Sequence, residues 1–263
     1  MKKIILAFLI ASVIACNNSA DKSTAVTHSD SSVTNTTENT EKITDAGACS
    51  KLVFFKEGAQ IVAASYNAKG EETSKQTTKV LAIKMEEGMT VAEVEGINEM
   101  MGSGPKTVHY NYKCDGNNIY FDIASMFRTD EKNQDGTFES SLISYPINIT
   151  DGQALPDVTG TMKSERNGKK MEMTYHYKDR KVEGKEEVTT PAGTFNCFKI
   201  SNAVQVDMNI PGMDEKSIAM MKKMQEGMKT TSITWFAPDF GIVKMEMYMN
   251  GELKSKNEVI SIK

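Results

Sequence analysis

The sequence predicts a mainly β domain of antiparallel, meandering strands, with one amphipathic helix inserted late in the chain. Three observations carry this expectation. Short runs rich in β-branched and aromatic residues alternate in polarity from Gln60 onward. Turn residues separate those runs at intervals too short for the crossover helices of a parallel sheet. A single segment, Met213 to Met228, switches to helical spacing.

Taken in order, Gln60 to Tyr66 is an apolar run ended by the turn Asn67-Ala68-Lys69-Gly70. Thr77 to Met85 sets Val80, Ala82 and Lys84 against Leu81, Ile83 and Met85, and Thr90 to Val94 alternates again. Thr107 to Cys114 places Val108, Tyr110, Tyr112 and Cys114 on one face. Asp115-Gly116-Asn117 then turns the chain into Ile119 to Ile123. Ser103-Gly104-Pro105 and Thr150 to Pro156 read as loops. Met162 to Arg166 and Lys169 to Tyr177 flank Asn167-Gly168, a strong hairpin signal. Met171, Met173, Tyr175 and Tyr177 share one face there, and Glu172, Thr174 and His176 the other. Lys185 to Thr189 and Thr194 to Val206 are expected as two further strands joined at Thr190-Pro191-Ala192-Gly193. In the helical segment Asp214 and Glu215 occupy the first turn, where negative charge is favoured. Ile218, Met221 and Gln225 lie on one side of that wheel, with Met220, Met224 and Met228 close beside. Thr231 to Phe236, Ile242 to Met249 and Glu252 to Ile262 complete the strands, the last two joined at Asn250-Gly251.

The start of the chain carries an export signal. Met1-Lys2-Lys3 precedes an apolar run from Ile4 to Ile14. That run is shorter than the ~20 residues a membrane span needs. Val13-Ile14-Ala15-Cys16 resembles the lipobox of bacterial lipoproteins, in which the cysteine receives diacylglycerol. The resemblance implies a signal peptide over 1–15, lipid on Cys16, and a membrane as partner. Asn17 to Ala48 is dominated by Ser, Thr, Asn, Asp and Ala, and such a stretch buries too little surface to offset its ordering entropy. Residues 16–48 are therefore expected to form a disordered tether, reaching about 100 Å if fully extended. Asn17 and Asn18, with no aspartate directly after the cysteine, favour the outer membrane by resemblance to better-known lipoproteins.

Residues 49–263 then form the β-rich domain. The net charge of -4, with both signs interspersed, argues against a nucleic-acid partner. Aromatics make up only 7% of the chain, so the core must lean on aliphatics and on 18 methionines. With Cys16 lipidated, Cys49, Cys114 and Cys197 remain, and at most one intramolecular disulfide is possible. Cys49 stands at the domain's entry, Cys114 at a hairpin turn and Cys197 inside an apolar strand, so a Cys49–Cys114 bridge is favoured over three free thiols.

Two longer stretches are familiar. Val188-Thr189-Thr190-Pro191-Ala192-Gly193-Thr194-Phe195-Asn196-Cys197-Phe198-Lys199-Ile200 is similar to a signature of the domain-of-unknown-function family number 3108 and its TapB-like relatives. Thr234-Trp235-Phe236-Ala237-Pro238-Asp239-Phe240-Gly241-Ile242-Val243-Lys244 resembles that family's second signature. Phe55 to Gln60 and Tyr66 to Gly70 resemble its opening strand pair. The resemblance implies a curved antiparallel β-sheet or half-open barrel and no known reaction. The Met-rich insertion at 213–228 departs from the shorter members.

No catalytic set stands out. The histidines are His28, His109 and His176, and no Gly-x-Ser-x-Gly elbow is present. Methionine pairs and triplets such as Met245, Met247 and Met249 could offer copper(I) soft ligands, yet their period of two is that of strand packing. Neither a metal nor a cofactor is expected. The chemistry that remains is apolar binding. Met213, Ile218, Met221, Met224 and Met228 on the helix, with Trp235 and Phe236 opposite, would make an adaptable groove for a lipid or other hydrophobic ligand. The alternative is a structural or protein-interaction module of the envelope without a small ligand.

Overall fold

The computed structural model describes residues 46–102, 104–122, 136–138, 142–166, 169–209 and 211–263. The expected signal peptide, Cys16 and the expected tether up to residue 45 lie outside the described residues. The strands are β1 (Gln60–Asn67), β2 (Glu72–Glu86), β3 (Met89–Met100), β4 (Lys106–Cys114), β5 (Asn118–Asp122), β6 (Gly136–Phe138) and β7 (Leu142–Pro146). They continue as β8 (Val158–Arg166), β9 (Lys169–Thr190), β10 (Gly193–Asn209), β11 (Thr230–Ala237), β12 (Gly241–Met249) and β13 (Glu252–Ile262). Two helices are α1 (Ala46–Cys49) and α2 (Glu215–Glu226).

All thirteen strands belong to one antiparallel sheet, in the order β6-β8-β9-β10-β11-β12-β13-β1-β2-β3-β4-β5-β7. Most neighbours are consecutive in the chain, the meander that the short turns require. The sheet curls until its ends approach each other, giving a nearly closed barrel. Tyr145 on β7 stacks on Phe236 of β11 with ring centroids 5.0 Å apart and planes 9° from parallel, although seven strands lie between β11 and β7 along the sheet.

Strand pairing fixes which side chains point inward. From Phe236 the inward row passes to Phe198 on β10, then to Ile200 and Thr234, which are paired. On the opposite wall it includes Val94, Tyr110, Ala92 and Tyr112, with Ile119 and Phe121 beyond. All of these but Thr234 join one continuous apolar core.

One end of the barrel is closed by the chain entering it. Leu52, Phe54 and Phe55 are buried there, the last two in a single 3-10 turn, Val53–Phe55. The Phe54 ring lies 4.9 Å from that of Tyr112 and 5.5 Å from that of Phe240. It also covers Gly241, whose φ is +115° and whose added Cβ would stand 2.9 Å from Phe54. A disulfide joins Cys49 to Cys114 at the end of β4, pinning this plug to the wall. Cys197 is free and buried, and its thiol is pushed up to about 11 by burial first and by the charge of Glu186 second.

Two strand expectations change. Lys169 to Tyr177 and Lys185 to Thr189 are parts of one strand, β9, which runs unbroken through the polar stretch Lys178-Asp179-Arg180-Lys181. Asp179 takes φ 53° and the pairing with β10 slips by one residue nearby, so a bulge absorbs the polar run without ending the ladder. In β2 a bulge at Leu81 puts Ile83, paired with Ala92, on the inward side with Val80.

The helical segment also differs from expectation. α2 is 12 residues long, and Asp214 caps it by accepting from the Ser217 amide at 3.0 Å and the Ser217 hydroxyl at 2.7 Å. Its described apolar side chains do not lie on the sheet: Ile218 is 47% exposed and Met220 74%. The barrel closes without it, and the plug at 52–55 already fills the far end. Met213 and Met228, flanking the helix, are partly buried. The side chains of Met221 and Met224 lie outside the described residues.

Candidate functional site at the open end

The plug fills only one end of the barrel. β1, β4, β11 and β12 all have one terminus at that end, so the turns at Asn67–Gly70, Met101–Gly102 and Asn250–Gly251, and the β10–β11 connection that holds α2, lie at the other. Inward side chains on β9 to β12 are only partly buried toward this second end. They include Met173, Tyr177, Val204, Val206, Met245 and Met247. Their inward direction follows from pairing: Thr234 opposite Met245, Ser232 opposite Met247, Val204 opposite Tyr177, and Met208 opposite Met173. The same end carries exposed apolar side chains at its rim, Met100 and Met101 on the β3 side and Ile218 and Met220 on α2. A methionine-lined half-open mouth with an apolar rim is an adaptable surface for an apolar guest. Burial in it pushes the Tyr177 phenol up to about 12.

The floor of this mouth is polar. Moving inward along β11, Thr230 is partly buried, Ser232 and Thr234 are buried, and Phe236 is fully enclosed. Asn202 on β10 pairs with Ser232, and Arg180 lies across the bulge from it on β9. Arg180 is 2% exposed. Its Nη1 donates to the Pro156 carbonyl and its Nη2 to the Ser144 carbonyl of β7, each at 2.8 Å. This guanidinium therefore bridges the seam between the two ends of the sheet. It lies over the Tyr145 ring, 5.1 Å from the centroid. The Tyr145 hydroxyl is shared between Thr234 and Arg180, while burial raises its pKa.

Among the described residues the sequence-predicted groove is not assembled. Trp235 and Phe236 are neighbours on a strand, so they point to opposite faces. Phe236 faces inward. Trp235 faces outward, where its Nε1 donates to Glu186 and Lys244 Nζ sits 4.3 Å from its ring centroid. The described helix residues meet neither of them. Arg180, Tyr145, Asn202, Ser232 and Thr234 are functional candidates that the sequence pattern does not single out. The sequence signal is weak: Arg180 keeps step with the apolar Val182 two residues on, but Lys178 two residues back does so too.

The nearest approach to a catalytic arrangement lies on the outer face. Thr159 Oγ1 is 3.0 Å from His176 Nδ1, and His176 Nε2 is 3.1 Å from Asp207 Oδ2. Thr159 and Asp207 are exposed on the outer face of the sheet. We read the three as a polar cross-strand ladder. Among the described residues, no cluster of three or more His, Cys, Asp or Glu is placed to hold a metal.

No curated protein matches the sequence. Two crystal structures share the fold. One is a predicted exported protein with a YmcC-like fold from Bacteroides fragilis, at 22% identity and TM-score 0.59, covering 79% of this chain and 96% of that one. The other is a predicted lipoprotein from Parabacteroides distasonis, at 20% identity and TM-score 0.61, covering 80% and 98%. The two stretches around Pro191 and Pro238 that resemble family signatures form the β9–β10 turn and the β11–β12 turn of this barrel. The chain belongs to the DUF3108-like family, whose profile matches residues 56–259.

Proposed function

We propose that this protein is an envelope lipoprotein, anchored through lipid on Cys16 in the outer membrane, that binds a hydrophobic ligand and catalyses no reaction. The observation that carries the binding role is the half-filled barrel: a packed end, and an opposite end whose inward Met173, Tyr177, Met245 and Met247 remain partly buried. The descriptions of the two solved relatives as exported protein and lipoprotein support the envelope setting, together with the lipobox-like Val13-Ile14-Ala15-Cys16. The ligand enters at the end that carries α2, not between α2 and the sheet.

The test is native mass spectrometry with lipid extraction, on protein purified from its own envelope. Co-purifying acyl chains that disappear in Met245→Glu/Met247→Glu support the role. A stable, empty protein refutes it and leaves the second reading, a structural or protein-interaction module. That reading draws on the apolar rim, where Met101 is 78% exposed.

A further inference from the structure

Arg180 carries a positive charge that no described residue neutralises. An arginine stays protonated wherever it is placed, so burial cannot switch its charge off. Among the described residues no ion pair includes it. Asp157 is the acid whose field reaches it, but Asp157 is exposed and its carboxylate accepts from the Asp179 amide at 3.0 Å. The two carbonyl bonds across the seam account for where the guanidinium sits. They leave its net charge unmatched and its Nε without a hydrogen-bond partner. A buried charge lacking its counterion is strongly unfavourable unless something else completes it.

The surroundings say what would complete it. Arg180, Tyr145, Asn202, Ser232 and Thr234 form a single polar layer where the packed half of the barrel meets the open half. Toward the open end, Tyr177 is the next inward residue of β9 and Val204 that of β10, both partly buried. Toward the closed end, Val182 and Ile200 are almost fully enclosed. A group reaching this layer comes from the open end, past methionines. It must be apolar along its length and anionic at its tip.

We propose that Arg180, with the Tyr145 hydroxyl beside it, is the head-group site for an anionic amphiphile, a carboxylate or phosphate ester whose chain lies along the inward methionines. This rests on the open end being a ligand site. A planar guanidinium suits both head groups, because it can offer Nε and an Nη hydrogen to two oxygens at once.

The test uses the full mature chain with Cys16→Ser, so that it carries no lipid of its own. It is titrated at neutral pH with palmitate, with hexadecanamide (the same chain with a neutral head), and with inorganic phosphate. Palmitate is expected to bind about tenfold to a hundredfold tighter than the amide, the range for a hydrogen bond to a charged partner. Arg180→Gln should bring the two affinities together. That variant also loses the bridge across the seam, so the comparison on the unchanged Arg180 protein stands without it. Equal binding of palmitate and amide overturns the head-group site and leaves the apolar mouth intact. Binding of neither overturns both. Binding of phosphate with no response to palmitate overturns the amphiphile and makes the ligand a free anion.

Discussion

Removing the disulfide should cost the barrel about 4 kcal/mol. Cys49 and Cys114 are 65 residues apart in sequence, and closing a loop of that length removes chain entropy from the unfolded state. For n near 65 the chain-entropy relation gives ~4.3 kcal/mol at room temperature. At ~2–4 °C per kcal/mol for a domain of this size, the melting temperature should fall by about 8–16 °C. The loss should be felt first at the plug, because Cys49 holds Leu52, Phe54 and Phe55 against β4. The assay is a circular-dichroism melt of three samples: oxidised protein, protein held under reductant, and Cys49→Ser/Cys114→Ser. The second and third should agree, and reductant should leave the double variant unchanged. Cys197 complicates neither, since it is buried and its thiol is held at about 11. A double variant melting within ~2 °C of the oxidised protein would refute the reasoning.

Four further outcomes are expected. Phe236→Ala, which empties a fully enclosed site stacked on Tyr145, should destabilise the protein by about 3–5 kcal/mol in denaturant titration. Gly241→Ala should destabilise by roughly 1–3 kcal/mol, because φ is +115° and the new Cβ would meet Phe54 at 2.9 Å. Tyr177, raised to about 12 by burial, keeps its proton longer when folded than when unfolded. Its stabilisation is complete below the unfolded value of 10.0 and is lost as pH rises through about 12, so the denaturation midpoint should decline across that window and decline less in Tyr177→Phe. Cys16→Ala should release or misprocess the protein in envelope fractionation, and full membrane partitioning of that variant would count against lipidation.

Much of the architecture was legible in the sequence because it is local. Asp115-Gly116-Asn117 and Asn250-Gly251 set their hairpins with no help from the rest of the chain. The alternation of Val108, Tyr110, Tyr112 and Cys114 needed only the two-residue period of a strand. What escaped depends on contacts far apart in sequence. The bulge at Asp179 is favoured because β10 is there to continue the ladder, and nothing in Lys178-Asp179-Arg180-Lys181 announces that. Arg180 belongs to the interior only because Ser144 and Tyr145, some thirty-five residues earlier, come around the barrel to meet it. The methionines of α2 looked like a core face because their spacing is helical. Spacing gives a face but not a partner, and the plug at 52–55 had already taken one end of the barrel.

The central claim, that the open end receives an apolar ligand, is tested most directly by photo-crosslinking with a diazirine-bearing fatty acid and mapping the labelled peptides. The account predicts labels on the inward strand residues Met173, Val206, Met245 and Met247, competed away by unlabelled palmitate. Labels confined to the outer face around Trp235 or to exposed Met220, or none that palmitate displaces, would contradict it.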